Sequence, residues 1–186
     1  MTMILAGAVW LLILMVLCLC RAAVAAPAEA AEPCADRNVP FEVDPPLARD
    51  ALLCELDRVR RRHDQPRLRG DPALDTAAQR HAEDMRQRGY FAHDSPGGGE
   101  LRDRLRRVRY TRKGCSWRAG EVLAWGTGER STAASTVRAW LDSPSHRRVV
   151  LSGRYAELGL GLQAGTPFTA GSSGVTVAAV LGDQDC

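Results

Sequence analysis

Leu158-Gly159-Leu160-Gly161-Leu162-Gln163 and, a few residues later, Val175-Thr176-Val177-Ala178-Ala179-Val180-Leu181 decide the fold of this chain. The first stretch alternates leucine with glycine, and the second is rich in valine and alanine. Both read as strands. Thr166 to Gly174 between them has the composition of a hairpin loop. Upstream, Glu121-Val122-Leu123-Ala124-Trp125 is a short apolar run between glycines and reads as a third strand. Before it, the stretches around Leu52–Val59 and Leu74–Met85 have helical period. Helices first and strands last predict α+β, or a layered α/β/α sandwich, rather than an alternating βαβ fold.

Working back from the strands, Ser131 or Thr132 can cap a helix carrying Ala134, Val137, Ala139, Trp140 and Leu141. Ser143-Pro144 then reads as the cap and first turn of a short helix from Ser145 to Leu151. Near the start of the domain, Leu52, Leu56 and Val59 recur at i, i+4 and i+7. They predict an amphipathic helix from about Pro46 to His63, with Arg49, Asp57, Arg60 and Arg61 on its other faces. Asp71-Pro72 opens a second helix, whose Leu74, Ala77, Ala78, His81, Ala82 and Met85 keep the period until Gly89 ends it. A third helix, short and basic, runs from about Glu100 to Val108.

The N-terminus has a different character. Ile4 to Cys20 is an uncharged apolar run, and Ala23-Val24-Ala25 after it has the form of a cleavage site. Residues 1–25 therefore read as a secretory signal, with an uncleaved anchor as the alternative. Residues 26–46 read as a linker and extended arm, and 47–186 as one domain. The protein is accordingly expected to be secreted or otherwise extracytoplasmic. Four cysteines remain in the mature chain: Cys34, Cys54, Cys115 and Cys186. An even number in an exported chain suggests two disulfides, and the spacing is too wide for a four-thiolate metal site. Cys54–Cys115 is expected because the first helix should pack near the Glu121 strand, and Cys34–Cys186 because domain ends often lie close together.

Composition narrows the function. The 186 residues are 45% hydrophobic and 25% charged, with a net charge of +3, which describes one ordinary globular domain. That charge is too mild to predict nucleic-acid binding. The basic segment from Arg102 to Arg118 could meet an anionic surface, such as acidic lipid or cell-wall polymer, or could simply be a solvated face.

Three residues carry chemistry. His93 sits in a Gly- and Pro-rich loop just after a helix, where it can serve as ligand or base. His146 falls in a first helical turn, where the dipole disfavours imidazolium and so favours the neutral, metal-binding form. Glu121 enters an apolar strand, which is costly for a carboxylate unless it is paired or coordinates something. His81 lies on the apolar face of its helix and reads as a core histidine. No H-E-x-x-H, P-loop, G-x-G-x-x-G or G-x-S-x-G motif is present.

Taken in order, the motifs resemble a known set. Leu74-x-x-Ala77-Ala78-x-x-His81-Ala82-x-Asp84-Met85 leads into Gly89-Tyr90-Phe91-Ala92-His93-x-Ser95-Pro96. Gly120-Glu121-x-Leu123-Ala124-x-Gly126, Val137-x-Ala139-Trp140, Ser143-Pro144-x-His146-Arg147 and Tyr155-x-x-Leu158-Gly159-x-Gly161 follow. This resembles the bacterial branch of the CAP superfamily, the SCP-like extracellular proteins. The resemblance implies a three-layer α/β/α sandwich with a short mixed or antiparallel central sheet. It also implies a cleft lined by two histidines, His93 and His146, and two acids. The first acid is Glu121, and the second falls at Ser135, where this chain has no carboxylate. Asn, usual after the glutamate, is replaced by Val122. Zinc or another divalent metal on His93, His146 and Glu121 is the implied cofactor, and a small molecule or lipid the implied partner. A non-enzymatic binding module is the expectation. A metal-dependent hydrolase and an envelope-associated structural protein are its competitors.

Overall fold

A computed structural model describes residues 34–169, 171 and 173–186. Residues 1–33, which include the expected signal segment, lie outside the described residues. Among the described residues, no helix is long and apolar enough to cross a membrane.

The helices fall where their periods put them. Helix α1 (Pro45–Arg62) starts at Asp44, whose carboxylate accepts from the Leu47 amide at 3.0 Å. Helix α2 (Pro72–Arg88) is capped by Asp71 and ends at Gly89, whose φ of 71° suits a residue without a Cβ. Helix α3 (Leu101–Arg107) follows, then strand β2 (Ser116–Gly126), longer than the apolar run that announced it. Helix α4 (Ala133–Asp142) is capped by Thr132, and α5 (Pro144–Val150) follows directly. Strands β3 (Glu157–Ala164) and β4 (Val175–Asp185) form the expected antiparallel hairpin. A two-residue strand, β1 (Arg69–Gly70), pairs parallel with β3 and had no sequence signal.

The sheet order is β1-β3-β4-β2, so it is mixed and β2 is an edge. Strand alternation then sorts the core into two halves. Val177, Ala179 and Leu181 of β4 and Val122 of β2 face a cluster built from α1, α4 and Val150. Ala178 and Val180, with Leu123, face α2 and Leu105 of α3. The result is a three-layer α/β/α sandwich.

The glycines of β3 set how closely α2 sits. A Cβ on Gly159 would come within 2.0 Å of the Leu74 carbonyl carbon, and one on Gly161 within 2.3 Å of that of Ala78. The helix backbone therefore rests on the strand itself. Its side chains then serve the strand's exposed amides. Asp75 accepts from the Leu160 amide at 2.8 Å, and Gln79 from that of Leu162 at 3.0 Å.

Three expectations need correction. The disulfides are Cys34–Cys54 and Cys115–Cys186, not Cys54–Cys115 and Cys34–Cys186. Strand register explains one of them: Ser116 of β2 pairs with Asp185 of β4, which puts Cys115 and Cys186 side by side. Cys54 lies on the outer face of α1, turned away from the sheet that Leu52 and Leu56 reach. The segment 34–44 is not a free arm either. It folds back with Phe41 buried and Pro40 bridging to Thr132, and this carries Cys34 to Cys54. Finally, Arg60 is wholly buried rather than on an outer face. It donates to the Val150 and Ser152 carbonyls at 2.7 and 3.0 Å and to that of Pro66 at 2.9 Å.

Candidate functional site

Glu121 is the centre of the site. Its partner across the sheet is Val180, so by strand alternation its side chain enters the α2–α3 layer with Leu123. It is buried there, and both carboxylate oxygens are engaged. Oε1 accepts from Nη2 of Arg104 at 2.7 Å. Oε2 lies 2.9 Å from Nδ1 of His93 and 3.7 Å from Nε2 of His81. The buried charge is thus paired, as its position in an apolar strand requires.

Arg104 was hidden in the sequence among the arginines read as a solvated face. Arg102, Arg106, Arg107, Arg109, Arg112, Lys113 and Arg118 are exposed. Arg104 alone of the run turns inward, because in α3 it sits beside Leu105, the helix's core anchor. It also donates to the carbonyls of His93 and Gly99 at 2.9 and 3.0 Å, which fixes the loop that carries His93.

His81 is the core histidine expected, but it is also part of the site. Nε2 lies 3.1 Å from the Ala92 carbonyl, which only accepts, so Nε2 carries the proton. Burial pushes its pKa down, against the pull of Glu121. His93 is different: its side chain is 55% exposed while that of Glu121 is 2% exposed. The hydrogen bond to Glu121 raises the His93 pKa above 6.5, with burial opposing.

His146 comes from the other side of the sheet. It is the third residue of α5 and partly buried. Burial, and then the charge of His93, holds its pKa below 6.5. That direction favours the neutral ring, through burial and a neighbouring charge rather than through the helix dipole.

Ser135 does not join them. It belongs to the capping box of α4, where its amide and hydroxyl exchange hydrogen bonds with Thr132. The surface hollow it lines also contains Asn38, Glu129 and Arg138 rather than the histidines. Among the described residues, no three His, Cys, Asp or Glu side chains gather in a group that could hold a metal ion.

With this geometry in hand, comparison with known proteins identifies the lineage. Residues 53–177 match CAP, the Cysteine-rich secretory protein family. The chain belongs to this family. The CAP domain is 33% identical over 104 residues to the uncharacterized membrane protein YlbC of Bacillus subtilis, covering 56% of this chain and 28% of that one. An extracellular protein containing a SCP domain from Bacillus anthracis superposes with a TM-score of 0.55 at 26% identity, over 73% of this chain and 43% of the other. An outer surface protein of Borrelia burgdorferi shares the fold with a TM-score of 0.61 at 19% identity, over 74% of this chain and 93% of its own length. This chain thus spans less than half of YlbC and of the Bacillus anthracis protein.

Proposed function

We propose that this CAP domain is an extracytoplasmic, non-enzymatic binding module whose His93–His146 cleft takes a divalent cation weakly. One observation carries the reading: both oxygens of Glu121 are committed, one to Arg104 and one to His93. Glu121, the acid that a hydrolase of this site would use as general base, is therefore not free to accept a proton from an attacking water. Glu121 instead orients His93, as carboxylates behind metal-bound histidines do, and leaves Nε2 of that ring facing outward. The donor set is two imidazoles, His93 and His146, with no second carboxylate at Ser135. The Arg104 guanidinium behind Glu121 further reduces the attraction for a cation. Zinc fits this set as a weakly held ion, and its role there is to present a Lewis-acidic point to a ligand. The disulfides, stable in oxidising compartments, support an extracytoplasmic location. So does the Bacillus anthracis relative, which is described as extracellular.

Calorimetry with zinc on the wild type and on His93→Ala plus His146→Ala tests this reading. Weak binding that disappears in the double variant is expected. Equal affinity in both proteins would reject the site.

A second reading rests on the exposed arginines between Arg102 and Arg118, which fit an anionic envelope polymer. It predicts sedimentation with isolated cell wall that falls steeply with added salt and ignores His93→Ala.

A further inference from the structure

The loop that carries His93 has little shape of its own. Gly97, Gly98 and Gly99 follow Pro96, and all three have positive φ, at 89°, 92° and 150°. Glycine enters such conformations freely but is not held in them by its own sterics. The His93 side chain is also more than half exposed, so packing alone does not fix its ring. Its place has to come from bonds that reach the loop from elsewhere.

One side chain supplies those bonds at both ends of the turn. Arg104 Nη1 donates to the His93 carbonyl at 2.9 Å and to the Gly99 carbonyl at 3.0 Å. A single nitrogen thus pinches together the residues that enter and leave the glycine run. On the same guanidinium, Nη2 donates to Glu121 Oε1 at 2.7 Å. The other oxygen of that carboxylate lies 2.9 Å from His93 Nδ1. The contacts close on themselves: guanidinium, His93 backbone, imidazole, carboxylate, guanidinium. Because the guanidinium is flat and rigid, it fixes the His93 backbone and the Glu121 carboxylate relative to each other, and the imidazole spans the two. The carboxylate oxygen accepts, so Nδ1 carries the proton and Nε2 keeps its lone pair. The other side-chain ties of this loop stop at its neighbours: His81 at the Ala92 carbonyl, Tyr90 at the Ser95 hydroxyl and Arg88 at the Pro96 carbonyl. Arg104 is buried beside Leu105 of α3, so the clamp belongs to the core rather than to the loop.

We propose that Arg104 is the positioning residue of this site: from the core, and without touching a ligand, it clamps His93 and Glu121 so that the imidazole presents Nε2 outward in one preformed orientation. This deepens the cation reading, and rests on it only where zinc is measured. A preformed ring avoids the ordering cost that a free side chain incurs on binding. Lysine cannot substitute, because one ammonium on a flexible stem lacks the fork that joins loop and carboxylate.

The test compares Arg104→Lys, which keeps the charge beside Glu121 and removes the fork, with Val59→Ala, a core truncation in α1. Side-chain ¹⁵N spectra, taken where His93 is neutral, report which ring nitrogen carries the proton. The wild type should show Nδ1–H alone. Arg104→Lys should show a mixture of tautomers, since the hydrogen bond at one nitrogen is what selects between them. Its zinc affinity should fall about tenfold or more, as when a partner behind a metal-binding histidine is lost. Val59→Ala should lower the unfolding midpoint and leave tautomer and zinc affinity unchanged. The wild type supplies a check that needs no variant: the His93 amide should have an order parameter near that of rigid backbone, about 0.85, with Gly97 and Gly98 lower. A pure Nδ1–H tautomer that survives Arg104→Lys, or a wild-type His93 amide as mobile as Gly98, would overturn the proposal. If the wild type takes up no zinc, the cation reading fails, while tautomer and amide order still decide the role of Arg104.

Discussion

Among the described residues two glutamates are buried, Glu55 in α1 and Glu121 in β2, and they are built differently. Glu55 is held by arginines alone: Arg58 one turn on at 2.5 Å and Arg37 from the folded-back N-terminal segment at 3.1 Å. Neither partner changes charge near neutral pH. Glu121 is held by one arginine and approached by two imidazoles, one sealed and one open to solvent. The first cluster fastens a segment to a helix. The second keeps a fixed charge beside a titratable group at the surface, an arrangement suited to orienting a ligand-binding ring. Burial of a carboxylate thus does not by itself mark a functional site. The identity and exposure of its partners do.

The largest expected effect comes from deleting each acid. Glu121→Ala should lower stability by about 3–5 kcal/mol, because it strands the buried Arg104 charge. Glu55→Ala should cost less, about 1–3 kcal/mol, since Arg37 is 29% exposed and can turn to water while Arg58, though buried, keeps more solvent access than Arg104. Chemical denaturation of both variants measures this. Equal losses would remove the distinction between the clusters.

Next is the bridge beside Glu55. Cys34→Ser plus Cys54→Ser should cost about 2–4 kcal/mol and release the segment that carries Arg37. The Glu121 cluster, tied instead through β2, should not respond. A change in the His93 titration curve in this variant would show that the two clusters are coupled.

The smallest effect is on proton binding. His93 should titrate above 6.5 by NMR, and Glu121→Gln should bring it down by removing the largest cause of the rise. The sign for stability follows. Because the folded pKa is raised, the His93–Glu121 contribution is fully present below pH 6.5 and is lost as pH rises through the folded value. A His93 pKa at or below 6.5 in the wild type would mean that the carboxylate serves Arg104 alone.

Local chemistry made much of this legible in the sequence. The periods of α1, α2 and α4, the Asp71 and Thr132 caps and the Leu158–Gln163 and Val175–Leu181 strands all follow from neighbours a few residues apart. Glu121 was legible for a related reason: a carboxylate in an apolar strand demands a partner whatever the fold. His93 and His146 stood out by loop and cap context. What tertiary structure alone decided is who meets whom. Arg104 looks like any arginine in its run until α3 docks by Leu105 and turns it inward. His81 reads as core from its helix, yet it sits beside Glu121 only because α2 lies against the sheet. Ser135 falls where a second acid would be aligned, but its hydroxyl is spent on the α4 cap. The disulfides changed partners because the β2–β4 register and the fold-back of residues 34–44 set cysteine proximity. Periodicity constrains one element at a time. Register, layer packing and the fate of a buried charge depend on contacts between residues far apart in the chain, which no local pattern encodes.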